Sequence, residues 1–313
     1  MELFILIIYA IPLVFIFSYS LVQLSLIINY LGKNQLSNIN GRRSAYQLSI
    51  DNVPFVTIQL PIYNELYVVE RLIDAVAAFD YPKERFEIQV LDDSTDETVE
   101  IIAQKVKEIQ AKGVDIQHIR RESRVGFKAG ALAYGLKICK GEFIAIFDAD
   151  FVPPKDFLQK TISYFQEKNV GVVQTRWQHL NENYSLLTQL QAFGLDAHFT
   201  IEQGGRNTKN HFINFNGTAG IWRKTTIEDA GGWSADTLTE DLDLSYRAQM
   251  RDWKFVYLEN VGCPAELPVT MSAVKSQQYR WTKGAAECVV KNLSKLLADS
   301  HLSISTRLHG FYH

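Results

Sequence analysis

Two carboxylates separated by one residue, Asp148 and Asp150, follow the apolar run IAIF and are the first candidates for chemistry in this sequence. In an extended chain, residues two apart point to the same side, so the two carboxylates would repel each other unless a cation lay between them. A divalent ion such as Mg²⁺ or Mn²⁺ relieves that repulsion and can also bridge a diphosphate. An Asp-x-Asp triplet is common by chance, but its place at the end of a buried strand favours a metal site.

A second acidic pair, Asp92 and Asp93 in VLDDSTD, follows another apolar run. Carboxylates at a strand tip can accept hydrogen bonds from a ribose or a nucleobase. The alternative interpretation is a turn in which Ser94 or Thr95 caps the next helix, with Glu97 behind it. Both interpretations can hold, because such a cap leaves Asp92 free.

Three further polar side chains are expected near these pairs. Tyr63 and Glu65 in IYNE follow the first apolar run, where a tyrosine could lie against a nucleobase or simply belong to a turn. Lys128 in RVGFKAGAL stands among small residues that permit close approach. Its ammonium group could pair with a ligand phosphate or with the aspartates, and an ordinary surface lysine is the alternative.

Glu240 and Asp241 in TLTEDLDL open a run with helical character. A carboxylate next to a reaction centre can take a proton from an attacking hydroxyl group, so Asp241 is a candidate general base. Taken alone, the pair is explained more simply by the preference for acidic side chains at the positive end of a helix.

The segment QQYRWTKGAAE places an amide, a guanidinium and an indole at Gln277, Arg280 and Trp281. In a helix, spacings of three and four put these three side chains on one face. Tryptophan can stack on a sugar ring, and arginine pairs with phosphate through two hydrogen bonds. The trio therefore suggests a place where a sugar meets a phosphate, with a core tryptophan and a solvated arginine as the plainer alternative.

The sequence predicts a scaffold that brings these motifs together. Apolar runs alternate with helical stretches, which indicates a mostly parallel sheet with helices on both faces. Ligands of such α/β sheets bind beyond the carboxyl ends of the strands, where the acidic pairs lie. The predicted strands are 55–60, 86–91, 114–119, 142–147 and 170–175, and the predicted helices are 66–79, 99–109, 128–136 and 157–165.

The N-terminal stretch from Leu3 to Leu31 carries no charged residue. Roughly 20 apolar residues span a bilayer, so the stretch predicts a transmembrane helix, and it is too long and has too acidic a start for a cleaved signal peptide. Lys33, Arg42 and Arg43 follow it, which by the positive-inside tendency places the bulk of the protein in the cytoplasm. The three widely spaced cysteines fit no disulfide or metal framework and agree with a reducing compartment.

Composition restricts the classes of function. With 47% hydrophobic and 21% charged residues, the 313-residue chain is globular rather than disordered. A net charge of −3 gives no sign of nucleic acid as a partner. A Rossmann-type dehydrogenase is disfavoured, because no G-x-G-x-x-G motif follows the first predicted strand.

The order of the motifs is more specific than any one of them. A strand-tip aspartate pair, Asp-x-Asp, Thr-Glu-Asp and Gln-x-x-Arg-Trp follow one another in one α/β chain behind a predicted membrane helix, over about 53–287. This pattern resembles the family 2 glycosyltransferases, in particular the cellulose synthase-like branch. The segments FNGTAGIWR and VQTRWQHLN are similar to its glucan and mannan synthases. The resemblance implies a GT-A fold, of the Rossmann-like α/β class, in a membrane-bound enzyme.

The resemblance also implies a role for each motif. Asp148 and Asp150 would hold the metal, and Asp241, next to Glu240, would be the general base. The residues expected around the nucleotide sugar are Tyr63, Glu65, Asp92, Asp93, Lys128 and Asp148. The residues expected around the acceptor and the leaving diphosphate are Gln277, Arg280, Trp281, Phe215, Asn216, Gly217 and Thr218.

The implied reaction is an inverting displacement, in which Asp241 deprotonates an acceptor hydroxyl that attacks the anomeric carbon from the side opposite the nucleotide. Mg²⁺ or Mn²⁺ and Arg280 would stabilise the charge that develops on the diphosphate. The expected donor is UDP-glucose or GDP-mannose, and the expected acceptor is a growing β-glycan. A glycolipid glucosyltransferase with a lipid acceptor shares Gln-x-x-Arg-Trp and is the alternative. A non-catalytic nucleotide-sugar-binding subunit is disfavoured, because the base and the metal pair are both present.

Four segments are expected along the chain. Residues 1–31 are predicted to form the transmembrane helix, 32–51 a linker and 52–290 the cytoplasmic glycosyltransferase domain. Residues 291–313 are predicted to be an interfacial segment in which 293–308 form one amphipathic helix. Polymerising members of the family have further membrane helices after Gln-x-x-Arg-Trp. The chain is therefore expected to be a fragment that ends before them, and the alternative is a protein that does not translocate a polymer.

Overall fold

The computed structural model describes residues 2–40 and 53–312, and within them one seven-stranded sheet has the order β3-β2-β1-β4-β6-β5-β7. Strands β1 to β4 pair in parallel, β6 runs antiparallel to both β4 and β5, and β5 pairs in parallel with β7. The strands are β1 (Val56–Ile62), β2 (Phe86–Asp92), β3 (Ile116–Arg120), β4 (Phe143–Ile146), β5 (Val170–His179), β6 (Gly220–Arg223) and β7 (Lys254–Ala265).

Helices pack on both faces of this sheet, because successive strand residues point to opposite faces. In β4, Phe143 and Ala145 join a core that includes α2, α3 and α5, whereas Ile144 and Ile146 join a core that includes α4, α8 and α9. The helices are α1 (Glu2–Asn40), α2 (Val69–Ala77), α3 (Thr98–Ala111), α4 (Phe127–Ile138), α5 (Phe157–Ile162), α6 (Leu186–Ala197), α7 (Gly204–Thr208), α8 (Lys224–Asp229), α9 (Glu240–Gln249), α10 (Met271–Ala298) and α11 (Ile304–Phe311).

The mostly parallel α/β sheet expected from the sequence is confirmed, with every predicted strand present and β5 continuing to His179. The predicted single helix over 293–308 is wrong. Helix α10 ends at Ala298, and α11 begins at Ile304 after Ser303, whose Oγ accepts a hydrogen bond from the Thr306 backbone N–H at 3.1 Å. A serine that caps a new helix starts a separate element, so the chain changes direction there.

The N-terminal helix α1 contains a stretch, Phe4–Gly32, that is long and apolar enough to cross a membrane, with 6% of its most apolar window buried in the structure. The helix continues to Asn40, into the segment predicted as a linker. The rest of that linker, including Arg42 and Arg43, lies outside the described residues.

One face of α1 nevertheless packs on the domain. Leu26 is fully buried, and a Cβ atom at Gly205 of α7 would come within 2.5 Å of its carbonyl oxygen, so only glycine permits this approach. Gln23 Nε2 donates to Glu202 Oε1 at 3.1 Å, and Tyr30 Oη donates to Glu259 Oε1 at 2.6 Å. The helix and the domain therefore meet through both apolar and polar contacts.

Candidate active site at the carboxyl edge of the sheet

The acidic motifs meet at one edge of the sheet. Strands β1, β2 and β4 are parallel neighbours, so the residues at or just beyond their carboxyl ends, 63–65, 92–93 and 148–150, lie at the same edge of the sheet. The Asp93 backbone N–H donates to the Ile62 carbonyl oxygen at 3.0 Å, which joins the first two tips. This convergence is the one that the alternation of strands and helices predicts.

Asp92 connects strands β2 and β3 at this edge through the hydrogen bonds of its side chain. Its carboxylate is buried, accepts the Ser94 backbone N–H at 2.8 Å and lies 2.7 Å from His118 Nε2. Burial opposes ionisation, but the hydrogen bonds of His118 and Ser94 outweigh it and lower the pKa of Asp92. The expectation that helix capping by Ser94 or Thr95 leaves Asp92 free for a ligand is wrong. The Asp92 carboxylate has no exposed surface with which to contact a nucleoside.

Asp93 is held by an arginine that the motif analysis did not single out. Arg121 Nε donates to Asp93 Oδ1 at 3.0 Å, and its Nη2 pairs with the other carboxylate oxygen. The same guanidinium donates to the carbonyl oxygens of Val125 at 3.0 Å and Phe127 at 3.1 Å. Asp93 and Arg121 thus fix the loop that leads into α4, and the run RRESR before GFKAG was the available sequence signal.

Lys128, at the start of α4, connects this helix with the segment after β4 and with the segment before β6. Its Nζ pairs with Asp148 Oδ1 and donates to the Gly217 carbonyl oxygen at 3.0 Å. Burial lowers the pKa of Lys128, but the charges of Asp148, Glu240 and Asp241 outweigh it and raise the pKa. The ammonium group is therefore the fixed positive charge among these carboxylates, and the interpretation as an ordinary surface lysine is wrong.

The segment 215–218 is only partly placed as the sequence suggested. Phe215 is fully buried, with its ring edge-on to Trp222 at 5.4 Å between centroids. Thr218 is also buried, and its Oγ1 accepts the Asp148 backbone N–H at 2.9 Å. Phe215 and Thr218 are therefore buried beneath the surface of the site. The expectation that they line an acceptor path is wrong.

Gly217 lies against the candidate base, and Asn216 precedes it in the chain. Asn216 Nδ2 lies 3.1 Å from His198 Nε2, and its Oδ1 accepts from Gln203 Nε2 at 2.6 Å. Gly217 has φ of +79°, and a Cβ atom there would stand 3.0 Å from Asp241 Oδ2. A side chain at 217 would therefore press on the candidate base, and glycine keeps that approach open.

Asp241 is half-buried in the first turn of α9, beside Glu240. Burial, followed by the charge of Glu240, raises the pKa of Asp241 to about 7, with Lys128 acting in the opposite sense. Burial also raises the pKa of Glu240. A carboxyl group whose pKa lies near neutrality can both accept and hold a proton at working pH, as general-base catalysis requires.

Asp150 occupies a cluster of negative charge with Asp148 and Glu65. Burial and then the charge of Asp148 raise the pKa of Asp150 to about 7, and Glu65 adds to this. Burial, Asp148 and Asp96 raise the pKa of Glu65 as well. Carboxylates that resist ionisation next to one another form a donor set that a divalent cation would stabilise.

This donor set suits a shared rather than a complete metal site. Within residues 2–40 and 53–312, no three His, Cys, Asp or Glu side chains are gathered closely enough to hold an ion alone. Mg²⁺ keeps several waters and is usually held by one or two carboxylates together with substrate phosphates. Asp148 and Asp150 fit that pattern.

The Gln-x-x-Arg-Trp trio lies on the face of α10 that meets α9. Gly284 packs so closely on Thr239, the residue before Glu240, that a Cβ atom would come within 2.5 Å of the threonine side chain. Gln277, Arg280 and Trp281 precede Gly284 by seven, four and three residues and therefore share its face. Arg280 is exposed, and within the described part of the chain the side chains of Gln277 and Arg280 have no hydrogen bond or ion pair.

We expect Gly284→Ala to lower transfer activity by about 10²-fold while costing about 1–3 kcal/mol of unfolding free energy, because the added methyl group pushes α10 away from Thr239. Gly194→Ala in α6 is the matched control, since nothing lies within 4 Å of a Cβ atom there. Initial rates at saturating donor and thermal unfolding would be measured on both. A wild-type rate for Gly284→Ala would show that this contact does not hold Gln277, Arg280 and Trp281 in place.

Comparisons with known proteins identify the family of the chain. The model of the family "Glycosyltransferase like family 2" matches residues 54–284. Probable glucomannan 4-beta-mannosyltransferase 11 of Oryza sativa subsp. japonica is 42% identical over 264 residues, which are 83% of this chain and 46% of the relative. Glucomannan 4-beta-mannosyltransferase 2 of Arabidopsis thaliana is 41% identical over 271 residues, which are 85% of this chain and 51% of the relative. The chain thus spans about half the length of these curated relatives.

Solved structures share the fold. The mannosyltransferase PcManGT from Pyrobaculum calidifontis, in complex with GDP-Man and Mn²⁺, has a TM-score of 0.68 at 19% identity, covering 94% of this chain and 81% of that one. S. aureus TarS in complex with UDP-GlcNAc has a TM-score of 0.58 at 17% identity, covering 82% of this chain and 71% of that one. The predicted GT-A-type fold is confirmed, and the chain belongs to the family 2 glycosyltransferases.

Proposed function

We propose that the protein is a membrane-bound, inverting hexosyltransferase that adds mannose from GDP-mannose to a growing β-glycan, with UDP-glucose as the competing donor. The observation that carries the proposal is Lys128, whose ammonium group lies between Asp148 and the Gly217 carbonyl oxygen and faces Asp241. Such a site offers a fixed cation for a diphosphate next to a carboxylate for a hydroxyl group. The names of the relatives favour mannose as the sugar.

Asp241 is the proposed general base. Its pKa of about 7 leaves a large fraction ionised at neutral pH, and Gly217 leaves space beside its Oδ2 for an acceptor hydroxyl. Deprotonation of that hydroxyl makes the oxygen nucleophilic while the anomeric carbon loses the diphosphate on its opposite side. One displacement of this kind inverts the configuration, so an α-linked donor gives a β-linked product.

Asp148 and Asp150 are the proposed metal-holding residues. A bound Mg²⁺ or Mn²⁺ supplies charge stabilisation to the departing diphosphate. Lys128 contributes a second positive charge, and its contact with the Gly217 carbonyl oxygen fixes its position beside Asp148. Glu65, at the tip of the neighbouring strand, adds negative charge that favours cation binding.

Gln277, Arg280 and Trp281 are the proposed contacts for the acceptor sugar and the leaving group. They share the helix face on which Gly284 contacts Thr239. Because an α-helix rises about 1.5 Å per residue, Arg280 lies about 6 Å along the axis of α10 from Gly284. The free guanidinium of Arg280 suits a phosphate, and the indole of Trp281 suits a sugar face. Asn216, held by His198 and Gln203, is proposed to contact the acceptor from the other side.

The membrane location is proposed from α1. About 20 apolar residues suffice to cross the bilayer, so the first part of the stretch Phe4–Gly32 would cross it. Lys33, Arg42 and Arg43 would keep the catalytic domain in the cytoplasm, where nucleotide sugars are available. The direct contacts of Gln23 and Tyr30 with the domain would hold the active site close to the membrane surface.

A donor panel on membranes that contain the full-length protein tests this function. Radiolabelled GDP-mannose, UDP-glucose and UDP-N-acetylglucosamine would be supplied with Mg²⁺ or Mn²⁺, and products would be separated into lipid-extractable and insoluble fractions. We expect insoluble label from GDP-mannose that a β-mannanase releases. Label confined to the lipid fraction would replace the glycan acceptor with a lipid, and no incorporation from any donor would overturn the proposal.

A further inference from the structure

An arginine covers the aromatic side chain at the tip of β1. The guanidinium carbon of Arg124 lies 3.2 Å from the centroid of the Tyr63 ring and 5.1 Å from that of Phe127. Tyr63 is 40% exposed, so its side chain lies at the surface of the site. Stacking at this distance is the geometry that a planar π-system such as a nucleobase would also adopt on Tyr63.

The loop that carries Arg124 is anchored on both sides of it. Arg121 pairs with Asp93 and donates to the carbonyl oxygens of Val125 and Phe127. Gly126 and Phe127 both have positive φ, +74° and +48°, which turns the chain sharply into α4. Arg124 therefore stands at the exposed tip of a braced turn, and its position over Tyr63 is set by the backbone.

The guanidinium of Arg124 has unused donors. Within the described residues, its side chain has no hydrogen bond or ion pair, and its guanidinium lies over the two aromatic rings. An arginine carries five N–H donors in a planar fork and is suited to a ligand with two adjacent acceptors. By contrast, the acidic pair expected to hold the nucleoside is engaged, Asp92 by His118 and Asp93 by Arg121.

We propose that Arg124 reads the nucleobase of the donor, which stacks on Tyr63, and that it favours guanine over uracil. The inference rests on the proposed function. The base would take the place of the guanidinium on the Tyr63 ring, and the displaced fork would turn to the edge of the base. Guanine presents O6 and N7 as adjacent acceptors, the pair that arginine binds with two hydrogen bonds. Uracil has a carbonyl oxygen but no N7 beside it, so it can accept only a weaker set.

Isothermal titration of the full-length protein in detergent with GDP and, separately, with UDP, both with Mn²⁺, tests this assignment. We expect Arg124→Ala to weaken GDP binding by about 5–150-fold, the loss of one two-bond base contact, and to change UDP binding far less. Arg124→Lys keeps the charge but lacks the fork, so it should lose most of the same discrimination. Arg85 is an exposed arginine just before the start of β2, at the end of the strand away from the site. Arg85→Ala is therefore the matched control and should bind GDP and UDP as the wild type does.

The outcomes separate this inference from the function beneath it. A wild-type protein that binds GDP more tightly than UDP, with a preference that Arg124→Ala leaves unchanged, would overturn the role of Arg124 alone. Equal losses for GDP and UDP would assign Arg124 to the diphosphate and overturn base reading. A wild type that favours UDP would overturn the preference for guanine, and binding of neither nucleotide would overturn the inference and the proposed function together.

Discussion

Asp241→Asn is expected to reduce transfer by about 10²–10⁴-fold, the usual contribution of a positioned general base. Asparagine matches aspartate in shape but cannot accept the proton of an acceptor hydroxyl. GDP binding should stay within about twofold of the wild type, because the proposed nucleotide contacts of Lys128 and Tyr63 are unchanged. Initial rates with labelled donor, together with GDP titration, would separate these two effects.

Stability and pH provide the controls for this variant. The folded protein disfavours the ionised form of Asp241, since its pKa is raised from 3.8 to about 7, so the wild type loses stability as pH rises through that window. Asp241→Asn should therefore melt no lower than the wild type at pH 8. Wild-type turnover should fall as pH drops below about 7 and the base becomes protonated. Asp80→Asn, at an exposed position, should keep full activity, and retained turnover in Asp241→Asn would remove Asp241 as the base.

Asp150→Ala is expected to weaken the Mn²⁺-dependent part of GDP binding by at least about 10–100-fold, since loss of a supporting residue around a metal already costs that much. The remaining carboxylate, Asp148, is paired with Lys128 and is a poorer ligand alone. The measurement is GDP affinity as a function of Mn²⁺ concentration, which needs no turnover. An unchanged Mn²⁺ dependence would exclude Asp150 from the metal site.

Thermal unfolding of a second variant, Asp150→Asn, tests the same residue without ligand. Because burial and Asp148 raise the pKa of Asp150 from 3.8 to about 7, its charge destabilises the folded protein above that pH. Asp150→Asn, which removes the charge but keeps the shape, should therefore raise the melting temperature at pH 8 without metal. Added Mn²⁺ should stabilise the wild type and leave the variant unaffected. Lower stability of the variant without metal would contradict the electrostatic account.

The regular part of the fold, in which apolar strands alternate with helices, was predictable from the sequence. Strands β1, β2 and β4 are apolar runs followed by acidic residues, and in a parallel sheet that pattern alone brings Asp92, Asp148 and Asp150 to one edge. Strands β6 and β7 lie in the irregular second half and were not predicted. Their pairing depends on β6 running antiparallel between β4 and β5, which no local period reveals.

The partners of the site residues were not predictable, because they come from distant parts of the chain. The sequence cannot show that Asp92 is occupied by His118, that Asp93 is occupied by Arg121 or that Phe215 points into the core. Each of these depends on how helices and loops pack against the sheet. A motif identifies which side chains gather at the edge, and tertiary packing decides which of them face a ligand.

The contact between Gln23 and Glu202 has a practical consequence for work on the isolated catalytic domain. Glu202 pairs with His198, and His198 in turn lies against Asn216, the residue before Gly217, so three contacts connect a side chain of α1 with the proposed acceptor side of the site. Removal of α1 would leave the Glu202 carboxylate one donor short and would uncover the glycine face that seats Leu26. A protein shortened to begin at residue 53 would therefore be an altered catalyst rather than a more convenient form of the same one.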